Sequence, residues 1–166
     1  MSKNFYKSFV ITSLFLFTVI YKTNAQISRI ELKAAGLTCS MCSNAIFKQL
    51  KAIPEVDNVK TDLNSNTFVI TIKNDKVVSP IVFKSKVEDA GFFIGSFIVV
   101  ASENFLPKTN YIVIEGNNKK ATEVKFQILD KGYVTEKEFK KLSKQYNKIL
   151  TYILSNDNDF HIKILS

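Results

Sequence analysis

Two thiols stand three positions apart in Gly36-Leu37-Thr38-Cys39-Ser40-Met41-Cys42, and they are the only cysteines of the 166-residue chain. A pair spaced this way holds a soft metal ion or cycles through a disulfide, because a thiolate is both a soft donor and a redox centre. One such pair cannot frame a disulfide-stapled fold. Three uses stay open on residue types alone. The two sulfurs grip one soft ion, copper(I) or mercury(II). They exchange with a partner's disulfide, as a thiol–disulfide oxidoreductase would. Or they merely oxidise within a structural or partner-binding module. Closed tetrahedral zinc(II) would want two further ligands, and residues 27–100 contain no histidine and no third cysteine. A partner or an added thiol would have to supply them.

The rest of the chain offers little competing chemistry. Met41 is expected to be an ordinary loop side chain rather than a third sulfur donor. Ser40 and Ser43 have no histidine base beside them and read as loop or cap residues, and Thr38 as a loop-steadying hydroxyl. Phe92 and Phe93 read as core and site cover. His161, the sole histidine, alternates with Lys163 along an apolar strand and is expected at the surface. Glu123, Asp130, Glu136, Glu138 and Asp157 show no paired-acid spacing. Lys137, Lys140, Lys141, Lys144 and Lys148 read as a solvated helix face. No enzymatic task is assigned to the second half.

Positioning the thiols falls to a short run of elements. Ile30, Leu32 and Ala34 alternate along 27–34, a strand with one apolar face, and Gly36 ends it. From about Cys42 to Leu50 the spacing becomes helical, with Ile46 and Leu50 one turn apart and Pro54 beyond the end. Cys39 therefore falls in the loop and Cys42 near the first helical turn, where unsatisfied amides favour anionic sulfur. Strands follow at 56–63 and 67–72, separated by Asn64-Ser65-Asn66, with a turn through Asn74-Asp75. Ser79-Pro80 starts a helix carrying Phe83, Val87 and Ala90, and Gly91 closes it. A strand over 93–100, apolar on both faces, is expected in the middle of a sheet. The order β-α-β-β-α-β is ferredoxin-like.

With these residues in place, 27–100 resembles the heavy-metal-associated domain family of copper chaperones, metal-pump N-terminal modules and periplasmic mercury-binding proteins. The family pattern is Gly-Met-Thr-Cys-x-x-Cys, and Gly36, Thr38, Cys39 and Cys42 match it. Asn44-Ala45-Ile46 continues the family's first helix, and Glu88-Asp89-Ala90-Gly91-Phe92 resembles the exit of its second. Leu37 replaces the usual methionine, which packs inward, so leucine preserves packing without altering the thiols. Phe92 stands where bacterial relatives often have tyrosine. The resemblance implies metal ligation by Cys39 and Cys42, copper(I) as the first candidate with mercury(II) or zinc(II) behind it. It implies a metal-transfer protein or a membrane metal transporter as partner.

The flanks complete the expectation. Lys3 and Lys7 precede the apolar run 9–20, and Thr23-Asn24-Ala25 offers small residues for cleavage before Gln26, so 1–25 reads as a secretory signal. The run is short for a bilayer-spanning helix of ~20 residues, and no stable membrane insertion is expected after cleavage. The location is then periplasmic or extracellular, where free thiols tend to pair. Losing Lys3, Lys7 and Lys22 lowers the formal charge from +8 to +5, spread along the chain, and nucleic acid is not an expected partner. Residues 101–110 form a connector. Residues 111–166 read as a small α+β domain or a docked extension of unknown function. It has strands near 111–114 and 124–128, a turn at Asn117-Asn118, and one helix opened by Thr135 and Glu138 and running through Phe139, Leu142, Tyr146, Ile149 and Ile153. Asn156-Asp157-Asn158-Asp159 breaks that helix before an edge strand at 160–165. The fold class is thus α+β: a ferredoxin-like βαββαβ sandwich with a small additional α+β C-terminal region. Oligomeric state is not legible.

Overall fold

The alternation read along Ile30, Leu32 and Ala34 buries one face of strand β1 (Ile27–Ala35), and its partners repeat the pattern. In the computed structural model, residues 26–37, 40–74, 76–106, 110–117, 122–154 and 159–165 are described. The expected secretory segment, Thr38, Cys39, Asp75, Pro107, Asn118 and Asn156-Asp157-Asn158 lie outside them. After β1 come α1 (Ser40–Lys51), β2 (Val56–Asp62), β3 (Thr67–Ile72), α2 (Pro80–Asp89) and β4 (Phe93–Ser102). This is the ferredoxin-like order, and β4 is central in the sheet as its two apolar faces require.

Local chemistry explains the boundaries. Ser79 caps α2, its hydroxyl accepting from the Ile81 amide at 3.3 Å, with Pro80 at the first helical position. At the other end the Gly91 amide donates to Glu88 at 2.8 Å and the Phe92 amide to Val87 at 3.1 Å. These are the paired bonds of a Schellman motif, which needs a left-handed residue at the turn, and Gly91 supplies it with φ +83°.

The chain then does something the sequence did not disclose. Strand β5 (Tyr111–Glu115), β6 (Glu123–Ile128), α3 (Glu136–Gln145), α4 (Leu150–Leu154) and β7 (Phe160–Leu165) follow. They extend the same sheet. The seven strands run β2-β3-β1-β4-β6-β7-β5, antiparallel throughout except for β5 beside β7. Ile98↔Gln127 to Ser102↔Glu123 is the register that joins the halves. The additional region is therefore substantial rather than small, adding three strands and two helices. Strand 160–165, expected at an edge, lies between β6 and β5; burial of Phe160 and Ile162 explains why it cannot sit outside.

One core serves both halves. Ile30, Leu32, Ile46, Leu50, Phe68, Ile70, Phe83, Val87, Phe97 and Val99 are fully buried in it, together with Phe126, Ile128 and Ile162 from the extension. Each such side chain contributes about 1.5–3 kcal/mol on burial. Rings bridge the join: Tyr133 meets Phe97 edge-on at 5.4 Å and Phe160 at 5.7 Å. A second cluster forms on the opposite sheet face, because His161 points away from its neighbours Phe160 and Ile162. There Leu129, Val134, Leu142 and Tyr152 are buried beneath α3 and α4.

The single helix expected through Phe139 and Ile153 is two. Helix α3 ends at Gln145, with Tyr146 as its cap, and the chain turns before Leu150. Tyr146 is tied by its hydroxyl to Glu115, while Tyr152 enters the cluster and donates to the Leu129 carbonyl at 2.8 Å. The break allows both anchors, and leaves Ile153 exposed rather than buried. Thr135 caps α3 as expected, accepting from the Glu138 amide at 3.2 Å. Among the described residues no helix is long and apolar enough to cross a membrane.

Candidate metal centre

Cys42 is the third residue of α1, half-buried in its first turn. Its sequence partner Cys39 lies outside the described residues. Ser43 follows, only 3% exposed, and Ile46 and Leu50 pin the helix to the core one and two turns below. On the entering side Gly36 turns out of β1, and Leu37 packs against the core. The inward packing expected of leucine at this position is what the structure shows. Met41 is 81% exposed on the helix's first turn, not in a loop.

The return turn from α2 lies at the same end of the sheet, since Ala35 is in register with Phe93. Phe92 packs against the core, as expected. Phe93 does not: it is 71% exposed, because alternation along β4 turns its neighbour Ile94 into the core instead. Thus Gly36-Leu37, the first turn of α1 and Gly91-Phe92-Phe93 surround one rim. The rim combines a helix N-terminus with a half-buried thiol and two aromatic rings at differing exposure. Among the described residues no group of three or more His, Cys, Asp or Glu stands close enough to hold a metal ion.

His161, expected at the surface, is 0% exposed. Its amide donates to Asp130 Oδ2 at 2.6 Å, its Nδ1 meets Asp130 Oδ1 at 2.8 Å, and its Nε2 meets Thr151 Oγ1 at 3.0 Å. A carboxylate only accepts, so Nδ1 donates to Asp130, and Nε2 shares a hydrogen bond with the threonine hydroxyl. Tyr152 stacks edge-on at 5.2 Å. Burial raises the Asp130 carboxyl above the ordinary carboxylate range, against the opposing pull of its bonds from His161. Both ring nitrogens are committed, and β7 lies three strands from β1, about 14 Å across the sheet. His161 is a structural residue. His161 and Lys163 do alternate with the apolar residues, but α4 covers His161 on the face that alternation alone assigns to solvent.

The lysines of α3 and the turn after it, Lys137, Lys140, Lys141, Lys144 and Lys148, are exposed as expected; Lys140 pairs with Glu136 at 2.9 Å.

The heavy-metal-associated domain family matches the chain over residues 31–93. No curated protein matches it. Among solved structures, a yeast copper transporter domain studied in apo and Cu(I)-loaded states is 34% identical, over 39% of this chain and 88% of that one, with a TM-score of 0.35. The N-terminal domain of a potential copper-translocating P-type ATPase from Bacillus subtilis is 25% identical, over 40% and 82%, with a TM-score of 0.36. Oxidized MerP from Ralstonia metallidurans is 24% identical, over 40% and 92%, with a TM-score of 0.37. The family match ends where β4 begins, and the extension lies beyond it.

Proposed function

Residues 31–93 of this chain belong to the heavy-metal-associated domain family, and on that premise we propose that the protein captures one soft metal ion, copper(I) first, between Cys39 and Cys42. The protein is non-enzymatic; the ion is its cargo. The observation that carries the reading is the Gly-x-Thr-Cys-x-x-Cys run where β1 passes into α1, within the residues that the family matches.

The chemistry follows from the donor set. Two thiolates suit linear copper(I) or mercury(II), because soft sulfur matches soft ions. Zinc(II) would need donors from elsewhere to close its tetrahedron. The positive end of α1 favours the negative charge of a bis-thiolate. An ion held by two ligands at a surface loop is open to attack by a partner's thiols, so it leaves by ligand exchange without a free-ion step. The partner is a metal-transfer protein or a membrane metal transporter, such as the potential copper-translocating ATPase whose N-terminal domain is the Bacillus relative. Residues 1–25 direct export, and the cargo protects two thiols that an oxidising compartment would otherwise join.

The test is titration of reduced protein with copper(I) under competition from a chelator, read by native mass spectrometry and sulfur-edge absorption. One ion bound through two sulfurs is expected, and its loss in Cys39→Ser/Cys42→Ser with the amide spectrum otherwise retained. A protein that takes up no ion, or takes it up equally in the double variant, refutes the assignment.

A further inference from the structure

Beside the strand end that leads into the cysteine loop lies a cleft of about 580 Å³. Helix α2 lines it with Lys84 and Glu88, β4 with Phe93, and the β6–α3 connection with Lys131 and Gly132. The second wall thus comes from the extension, outside the family match. A volume of several hundred Å³ is that of small-molecule sites.

Lys84 is held in place at this cleft. Its ammonium lies 5.9 Å from the centroid of the Tyr133 ring. Its Cε and Nζ fill the space beside Gly132, where an added Cβ would meet them at 2.6 and 3.0 Å. Gly132 also has φ +89°, so the backbone favours glycine there, whereas an added Cβ would displace only the flexible end of Lys84. Among the described residues Lys84, Lys131 and Glu88 make no ion pair, whereas the fourth charged lining group, Glu136, is engaged by Lys140. The cleft therefore presents two ammonium groups outside any ion pair, the carboxylate of Glu88, that of Glu136 already paired with Lys140, and the exposed ring of Phe93.

We propose that this cleft binds a small zwitterionic carboxylate, a free amino acid or dipeptide with an apolar side chain. The ligand carboxylate lies between Lys84 and Lys131, its ammonium faces Glu88, and its side chain covers Phe93. With Glu136 paired to Lys140, the two lining lysines face Glu88 as the one carboxylate outside an ion pair, which favours a ligand anchored by its carboxylate, and charge-assisted hydrogen bonds are the strong ones. Covering Phe93 removes a large apolar surface from water. The site shares a rim with the cysteine loop but does not depend on the thiols.

The experiment uses protein carrying Cys39→Ser and Cys42→Ser, or the reduced parent if that variant does not fold, so that metal plays no part. L-phenylalanine and alanylphenylalanine are titrated separately, following amide shifts by NMR. Saturable shifts confined to the residues around Lys84, Phe93 and Gly132 are expected. Phenethylamine, which lacks the carboxylate, binds at least about tenfold more weakly, and Lys131→Ala or Lys84→Met weakens the amino acid about tenfold. Stronger binding of the dipeptide assigns a peptide source, and stronger binding of phenylalanine assigns free amino acids. No saturable shift up to about 10 mM, equal binding of phenethylamine, or indifference to both lysine substitutions overturns the proposal.

Discussion

Replacing His161 by alanine tests whether the buried Asp130–His161–Thr151 array holds the extension together. Three losses can be worked from the structure. The bond from Nδ1 to a carboxylate with 6% exposure is worth about 1.5–3 kcal/mol, because Asp130 keeps only the His161 amide as a partner in the array. The Nε2 bond to Thr151 is worth under about 1 kcal/mol, since that exposed hydroxyl turns to water. The edge-on contact with Tyr152 adds about 0.5–1.5 kcal/mol. The total is about 4 kcal/mol, a large part of the 5–15 kcal/mol typical of a domain. Urea denaturation followed by circular dichroism gives the loss as a shift in midpoint at constant slope. Asp130→Ala in the same background supplies the control: once the histidine is gone, removing the stranded carboxyl costs less, and the double variant falls short of additivity by about 2 kcal/mol. A single-variant loss below about 1 kcal/mol, or strict additivity, refutes the argument that the pair acts as a unit.

Other perturbations separate the remaining claims. Asp130→Asn tests the effect of burial on the carboxyl: its folded pKa lies above the usual 3.8, so the native state resists ionisation and the parent loses stability as pH rises from about 4 through the folded value. The asparagine variant, which cannot ionise, should therefore gain on the parent between acid and neutral pH in paired urea titrations; a gain in the opposite direction would show that the histidine bonds outweigh burial. Thr135→Ala removes the cap bond to the Glu138 amide and should cost about 1 kcal/mol, seen as a fall of a few degrees in the melting temperature. Phe126→Ala, fully buried against Phe105 and Tyr111, should cost about 3–5 kcal/mol and shift one common transition reported by probes in both halves; two separated transitions would contradict the shared core.

Residues 27–100 were legible because their signals are local. Period-two alternation in β1 and β3, the Ser79-Pro80 start and the Gly91 stop each act within a few residues, and the elements came out within one or two positions of expectation. The extension was not legible because its placement depends on contacts distant in sequence. Nothing local in Val124, Phe126 and Ile128 says that β6 will add to β4. Nor does the alternation of His161 with Lys163 disclose that a helix break at Tyr146 lets Tyr152 cover one of them and leave the other half-exposed. For the candidate site, the cysteine spacing and its place between β1 and α1 were readable, as was the inward Leu37. The exposed Phe93 and the cleft were not, since their far wall lies some forty residues away along the chain at Lys131 and Gly132.

That far wall bears on how the protein works as a whole. In an isolated βαββαβ unit the outer edge of β4 would be unpaired, a template for pairing with another chain; here β6 occupies it from Ile98 to Ser102. The same attachment brings Tyr133 onto Phe97 and Phe160, so the ring that sits beneath Lys84 is also part of the joint core. Position of the cleft wall is then fixed twice: by this aromatic chain, and by Asp130, held by His161 immediately before Lys131. A surface loop built only from Gly, Lys and Glu would sample many conformations, each ordering step costing about 1–2 kcal/mol per residue. Anchoring both its strand exit and its central tyrosine in buried structure removes most of that freedom before any partner arrives. The extension thus closes an exposed sheet edge and presents a preorganised surface beside the cysteine loop, and a single set of buried residues accomplishes both.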